Sequence, residues 1–211
     1  MTDAMINVLA RMPVRGSVKT RLAHSIGSVA TLRAYRWMLD RTMRAALDTG
    51  LPVCLWSAGG RWHSALQSYG VPVRVQPPGN LGRKMAHVLS WSAARGSTSV
   101  LVGTDCPGLD TETLDAGVAA LANRDVVIGP ATDGGYYLIG ARRAWKGLFA
   151  KVPWGSSLVL RRTLQLIRRR GLSVELLGEK SDVDVIEDWR SVRAAAGRGA
   201  VDLRHAGAFK V

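Results

Sequence analysis

The order in which apolar residues recur constrains this chain more than any other feature. Short β-branched and aliphatic runs read as strands at Ile6–Ala10, Val53–Ser57, Val71–Val75, Ser99–Gly103, Val126–Gly129, Tyr137–Gly140 and Ser173–Leu177. Helical periodicity fills the intervals. Ser28–Thr49 puts Leu32, Tyr35, Leu39, Met43, Ala46 and Leu47 on one stripe, and further helices are predicted at Trp62–Tyr69, Gly82–Ala94, Thr111–Ala122, Ser156–Arg170 and Val185–Ala195. Strand and helix alternating in this way predict an α/β fold: one domain over residues 1–211, with a mostly parallel sheet, helices on both faces, and the sixth strand running against the others. Gly197 to Val211 reads as a short strand or a loose tail.

In such sheets ligands bind beyond the carboxyl ends of the strands, so the loops there deserve the closest reading. Four combine glycine or proline with charge, PVRGSVKTRL, PPGNLGRKM, TDCPGL and TDGGYY, and a fifth, EKSDVD, is mostly charged. The first sets Arg15, Lys19 and Arg21 around Gly16, which suits either a phosphate chain or a basic surface turn; it lacks the spacing of a P-loop. In the fourth-strand loop an apolar run enters Thr104-Asp105-Cys106-Pro107. Asp105 there is either a hydrogen-bonded turn residue or a ligand-facing acid, and one carboxylate alone holds Mg²⁺ weakly.

The segment Ser181–Trp189 supplies partners for Asp105. Asp182 and Asp184 alternate, with one expected to face the ligand, Asp184 first and Asp182 second. Glu187 and Asp188 fall in a first helical turn, where acids are favoured for structural reasons. The glycines of Asp133-Gly134-Gly135-Tyr136-Tyr137 permit either a turn or close approach to a ligand, and Asp133 could orient a hydroxyl or act as a base. Ser156 or Ser157 would cap the following helix, and Trp154 could wall a pocket or pack on the sheet edge.

Other chemistries find no support. The four histidines are scattered, no GxSxG elbow occurs, and no histidine is placed to activate Cys106. Two cysteines, Cys54 and Cys106, make no disulfide framework. Without a basic leader or an apolar run long enough to span a bilayer, the chain reads as cytoplasmic with no membrane span. The net charge of +13 favours anionic partners. Against a nucleic-acid-binding module stand the absence of aromatic-basic interleaving and of any helix-turn-helix or zinc pattern. Five arginines between Arg161 and Arg170 read as a solvated helix face.

Taken in order, MPVRGSVKTRLA, NLGRKM, LVGTDCPGL, VIGPATDGGYYLIG, VPWGSS and DVDVIEDW resemble a bacterial family of small GT-A-fold, glycosyltransferase-like proteins in the nucleotide-diphospho-sugar transferase superfamily. KTRLA also resembles a segment of phospholactate guanylyltransferases, and DVDVIEDW resembles an acidic element of nucleotidyltransferases of that superfamily. The resemblance implies a Rossmann-like sheet and a bound nucleotide or nucleotide-sugar donor. It implies Mg²⁺ or Mn²⁺ held by Asp105 with Asp184 or Asp182, and phosphates met by Lys19 and Arg21. Arg15, Gly16, Gly82 and Thr104 would also line the nucleotide, and Gly134, Gly135 and Tyr136 would lie near a small-molecule acceptor. Arg11 stands where relatives often carry lysine, and Val185-Ile186 where they carry Thr-Pro. Two chemistries follow from the resemblance: glycosyl transfer from a nucleoside-diphosphate sugar, or nucleotidyl transfer from a triphosphate with release of pyrophosphate.

Overall fold

A computed structural model describes residues 3–60 and 64–195. Its strands are β1 (Ala4–Arg11), β2 (Val53–Ala58), β3 (Val73–Val75), β4 (Thr98–Val102), β5 (Val126–Pro130), β6 (Tyr136–Ala141) and β7 (Val174–Leu176). They form one sheet in the order β3-β2-β1-β4-β6-β5-β7. β6 runs antiparallel to both β4 and β5, and every other pairing is parallel. The expected direction of the sixth strand is therefore observed.

The helices are α1 (Thr20–Ile26), α2 (Ser28–Asp48), α3 (Ser64–Gln67), α4 (Leu81–Ala93), α5 (Thr111–Ala120), α6 (Val159–Arg169) and α7 (Ile186–Ala195). Side chains alternate across a strand, so each β1 residue chooses one helical layer. Ile6, Val8 and Ala10 face a core built with α2, α5 and α7. On the other face Trp56, Leu101 and Ile139 pack with Met85, Val88 and Leu89 of α4 and Ile167 of α6. Asn7 is fully buried on β1, and its amide is satisfied: it donates to Ser92 and Ser99 hydroxyls and accepts from the Trp56 indole at 2.8 Å. A buried amide left without those partners would cost ~1–3 kcal/mol.

Three expectations need correction. α1 occupies sequence read as loop. Helix α6 starts at Val159 with Leu158 as its N-cap and no side-chain cap bond. Ser156 instead folds a turn of its own, donating to the Pro153 carbonyl and accepting from the Leu158 N–H. Where one ligand-facing aspartate was expected, Asp182 and Asp184 both turn to the same side, because Val183 between them is fully buried and residues two apart share a face. Trp62 and the segment 197–211 lie outside the described residues.

Candidate active site

The carboxyl ends of β1, β2 and β4 open onto a cavity of about 610 Å³. Arg11, Ala58, Gln76, Leu81, Lys84, Thr104, Asp105, Tyr136, Asp182 and Asp184 line it, together with Lys19 and Arg21 at the start of α1. Its centre is an ion cluster. The Lys19 ammonium lies 2.8 Å from Asp105 Oδ2 and 2.9 Å from Asp184 Oδ1, and Arg21 reaches the other oxygen of Asp184 at 3.6 Å. The Lys19 side chain is only 6% exposed, whereas those of Asp105 and Asp184 are 45% and 56% exposed.

Local structure forces this convergence. Lys19 caps α1 in the left-handed region, φ 46° and ψ 53°, which costs a non-glycine residue ~1–3 kcal/mol and persists only where the surroundings offset it. The two ion pairs do so here. Asp184 is held from the other side: Asp188 accepts the N–H groups of Asp184 at 2.9 Å and Val185 at 3.0 Å, capping the approach to α7. α7 is itself anchored by an edge-to-face contact of Trp189 with Trp37 of α2, ring centroids 5.6 Å apart. A main-chain bond from Val183 N–H to the Asp105 carbonyl, 2.8 Å, joins the two acidic segments.

The charges settle accordingly. Burial works to lower the Lys19 pKa, but Asp105 and Asp184 outweigh it and the ammonium is stabilised. Burial works to raise Asp184, and Lys19 and Arg21 reverse it, holding the carboxyl below its ordinary value. Asp182 goes the other way: burial first, then the charges of Asp105 and Asp133, push it up to about 7. Its Oδ1 is buried and has no hydrogen-bond partner among the described residues. Burial pushes the Cys106 thiol up to about 12, so it stays protonated and is a poor nucleophile.

The remaining residues singled out in the sequence lie elsewhere. Asp133 accepts from Gly135 N–H at 2.8 Å, closing a turn. Gly134 packs so tightly that a Cβ would stand 2.2 Å from the Ser157 carbonyl oxygen. Gly82 is pressed against Trp154, while Leu81, Lys84 and Met85 beside it reach the cavity. Arg15 is hydrogen-bonded to Ser28, and neither it nor Gly16 lines the cavity.

Gln76, Tyr35, Arg11 and Lys84 line the cavity as well, and the sequence alone does not mark them as site residues. Gln76 donates from its amide nitrogen to the Ala10 and Trp56 carbonyls, at 3.1 and 2.8 Å, which orients its carbonyl oxygen as an acceptor. The Tyr35 hydroxyl both accepts from Arg11 N–H and donates to the Arg11 carbonyl, fixing the exit of β1. Arg11 and Lys84 add cations. Gln76 follows a strand and Arg11 ends one, positions that carry a signal in this fold; Tyr35 was visible only as a core residue.

The chain is similar in structure to a protein of Desulfovibrio desulfuricans G20 provisionally assigned as a nucleotide-diphospho-sugar transferase, with 25% identity, a TM-score of 0.87, and 95% of this chain and 90% of that chain covered. More distant likenesses are a CMP:2-keto-3-deoxy-manno-octonic acid synthetase complexed with CTP (11% identity, TM-score 0.58, 91% and 98% covered) and the 4-diphosphocytidyl-2C-methyl-D-erythritol synthase of Anaerococcus prevotii DSM 20548 (11%, 0.59, 93% and 100%). The fold is that of the nucleotide-diphospho-sugar transferases. Among the curated proteins, none matches this sequence. Residues 39–156 match a family model, and the chain belongs to that family, described as "Uncharacterized protein conserved in bacteria (DUF2064)".

Proposed function

We propose that the chain is a transferase that moves a glycosyl group from a nucleoside-diphosphate sugar to a small acceptor. One observation carries this reading: a nearly buried ammonium clamped between two half-exposed aspartates, in a cavity at the carboxyl ends of parallel strands. The likeness to the Desulfovibrio protein supports the donor class. In the reaction an acceptor hydroxyl oxygen bonds to the anomeric carbon while the bond from that carbon to the diphosphate breaks, its electron pair leaving with the nucleotide. Lys19, Arg21, Arg11 and Lys84 supply positive charge where the diphosphate departs. Asp133 gives one carboxylate oxygen to its turn and does not line the cavity, whereas Asp182 does, so Asp182 is the candidate to take the hydroxyl proton, with a pKa near the working range.

The donor set fits Mg²⁺ or Mn²⁺, since the carboxylates of Asp105 and Asp184 are hard oxygen ligands. Among the described residues no three acidic, histidine or cysteine side chains stand close enough to cage an ion. A cation held by Asp105 and Asp184 would therefore share the nucleotide's phosphates, and it would counter charge on the leaving group.

A second reading, nucleotidyl transfer to an acceptor phosphate or hydroxyl, is favoured by the number of cations on the cavity: four is generous for a diphosphate and suits a triphosphate. A thermal-shift panel separates the two, because a ligand that binds only the folded state raises its stability. Stabilisation by one nucleoside-diphosphate sugar with Mg²⁺ or Mn²⁺ supports glycosyl transfer. Stabilisation by one triphosphate, and by no sugar nucleotide, replaces it with nucleotidyl transfer.

A further inference from the structure

From Gly134 to Val174 the sequence holds nine lysines and arginines and no aspartate or glutamate, so most of the chain's net charge of +13 resides in the loop after β6 and in α6 with its C-cap. The structure gathers much of that charge on one face. Arg161, Arg168 and Arg169 are exposed on α6, and Arg161 and Arg168 lie two turns apart on the same side, ~10 Å along the axis. Arg142 and Lys146, in the loop after β6, are exposed too. Arg170 joins the two pieces: its guanidinium donates to the carbonyls of Lys146, Gly147 and Leu166, the shortest at 2.9 Å. Arg142, Lys146, Arg161, Arg168 and Arg169 have no ion-pair partner among the described residues.

Topology places the loop and the end of α6 away from the cavity. β6 is antiparallel to its neighbours, so the loop after Ala141 emerges at the amino edge of the parallel strands, where α6 also ends before β7. None of these five cations lines the cavity.

We propose that this face docks the protein on an anionic lipid surface. A membrane asks only for several exposed cations facing one way, each adding affinity without a fixed donor geometry. Nucleic acid read in single strands asks for free aromatic faces on which bases stack. Of the three aromatics between β6 and α6, Phe149 is buried, Trp154 is half-buried against it, and Trp145 is half-buried and carries the Arg143 guanidinium 4.4 Å from its ring centroid, so none offers an open platform. A chain docked in this way keeps its cavity open to soluble ligands, and the proposal does not depend on which transfer the cavity performs.

The test is vesicle flotation of the full chain with phosphatidylglycerol–phosphatidylcholine vesicles against phosphatidylcholine alone, at ~0.1 M salt and again at ~0.5 M, where screening shortens the reach of surface charge. The charge-reversed triple Arg161→Glu, Arg168→Glu, Arg169→Glu is compared with Arg33→Glu, Arg190→Glu, Arg193→Glu, exposed arginines of α2 and α7 that change net charge equally. The expected result is binding to the anionic vesicles only, lost at high salt, weakened at least ~tenfold by the first triple and little changed by the second. Melting temperatures near the parent's confirm that both triples fold. The proposal is overturned if the parent chain ignores anionic vesicles, or if both triples weaken binding equally. It is overturned in favour of nucleic acid if the parent binds a DNA duplex rather than vesicles and the first triple removes that binding.

Discussion

Two groups of cations, one inside the cavity and one on α6 outside it, are built in opposite ways. Lys19 is nearly buried and matched by two carboxylates, whereas Arg161, Arg168 and Arg169 are exposed and matched by none among the described residues. Burial explains the contrast. A desolvated ammonium is costly without partners, so its neighbours are fixed and its geometry becomes specific. Exposed guanidinium groups stay hydrated, need no partner, and act together as a potential. The first arrangement can position a reacting group; the second can only attract.

The sharpest attack on that contrast is Asp105→Asn, which removes one of the two acids holding the buried cation. We expect the protein to fold and to lose metal-dependent stabilisation by nucleotide; an unchanged thermal shift would deny Asp105 its part in the site. Next is Gly134→Ala, at φ +85° and with a Cβ directed at the Ser157 carbonyl. A cost of ~2–3 kcal/mol is expected, read as a fall in Tm of ~4–12 °C. Gly155→Ala serves as the control, since it shares the positive φ but meets no atom within 4 Å, and it should cost about half as much or less. Equal losses would mean that the close approach is of no consequence.

Lys19→Met should weaken nucleotide binding about tenfold, measured by calorimetry. It should lower stability by ~1–2 kcal/mol, less than a fully buried pair because its partner carboxylates are half exposed. Replacement of an α6 arginine should leave Tm within the error of the parent. The smallest effect belongs to Asp182. Its folded carboxyl, near 7 against an ordinary 3.8, binds more protons than the unfolded one between those values, so the protein loses stability as pH rises through that window. Asp182→Asn should raise Tm by ~2–4 °C near pH 8 and hardly at all near pH 4. The same rise at both would remove burial of the charge as its cause.

Much of this molecule can be read from its periodicities. The strands carry continuous apolar runs because β1, β2, β4, β5 and β6 are covered on both faces, and the chain order of strand and helix then leaves few topologies. The sequence does not announce helix α1, because a left-handed lysine starts it, with no serine, threonine or aspartate cap. Asp105, Asp184 and Lys19 could be picked out as acids and cations in loops after strands. That Lys19 would bridge the two acids could not, since the bridge depends on a backbone conformation lysine rarely adopts. That one oxygen of Asp133 accepts from Gly135 could not be read either, since a sequence does not show which backbone N–H a turn carboxylate takes. Gln76 became informative only once both of its amide donors were seen to be spent on backbone carbonyls.

Strand β6 begins at Tyr136, on the cavity wall, and ends at Ala141, one residue before the cationic loop; every residue from Tyr137 to Ala141 is buried. That single strand runs from one surface to the other, and none of the exposed cations beyond it lines the cavity. A lineage could exchange the arginines of its outer face for other residues, and so change what it adheres to, without disturbing a residue that lines the cavity. Divergence of address and conservation of chemistry can proceed in one chain at separate rates.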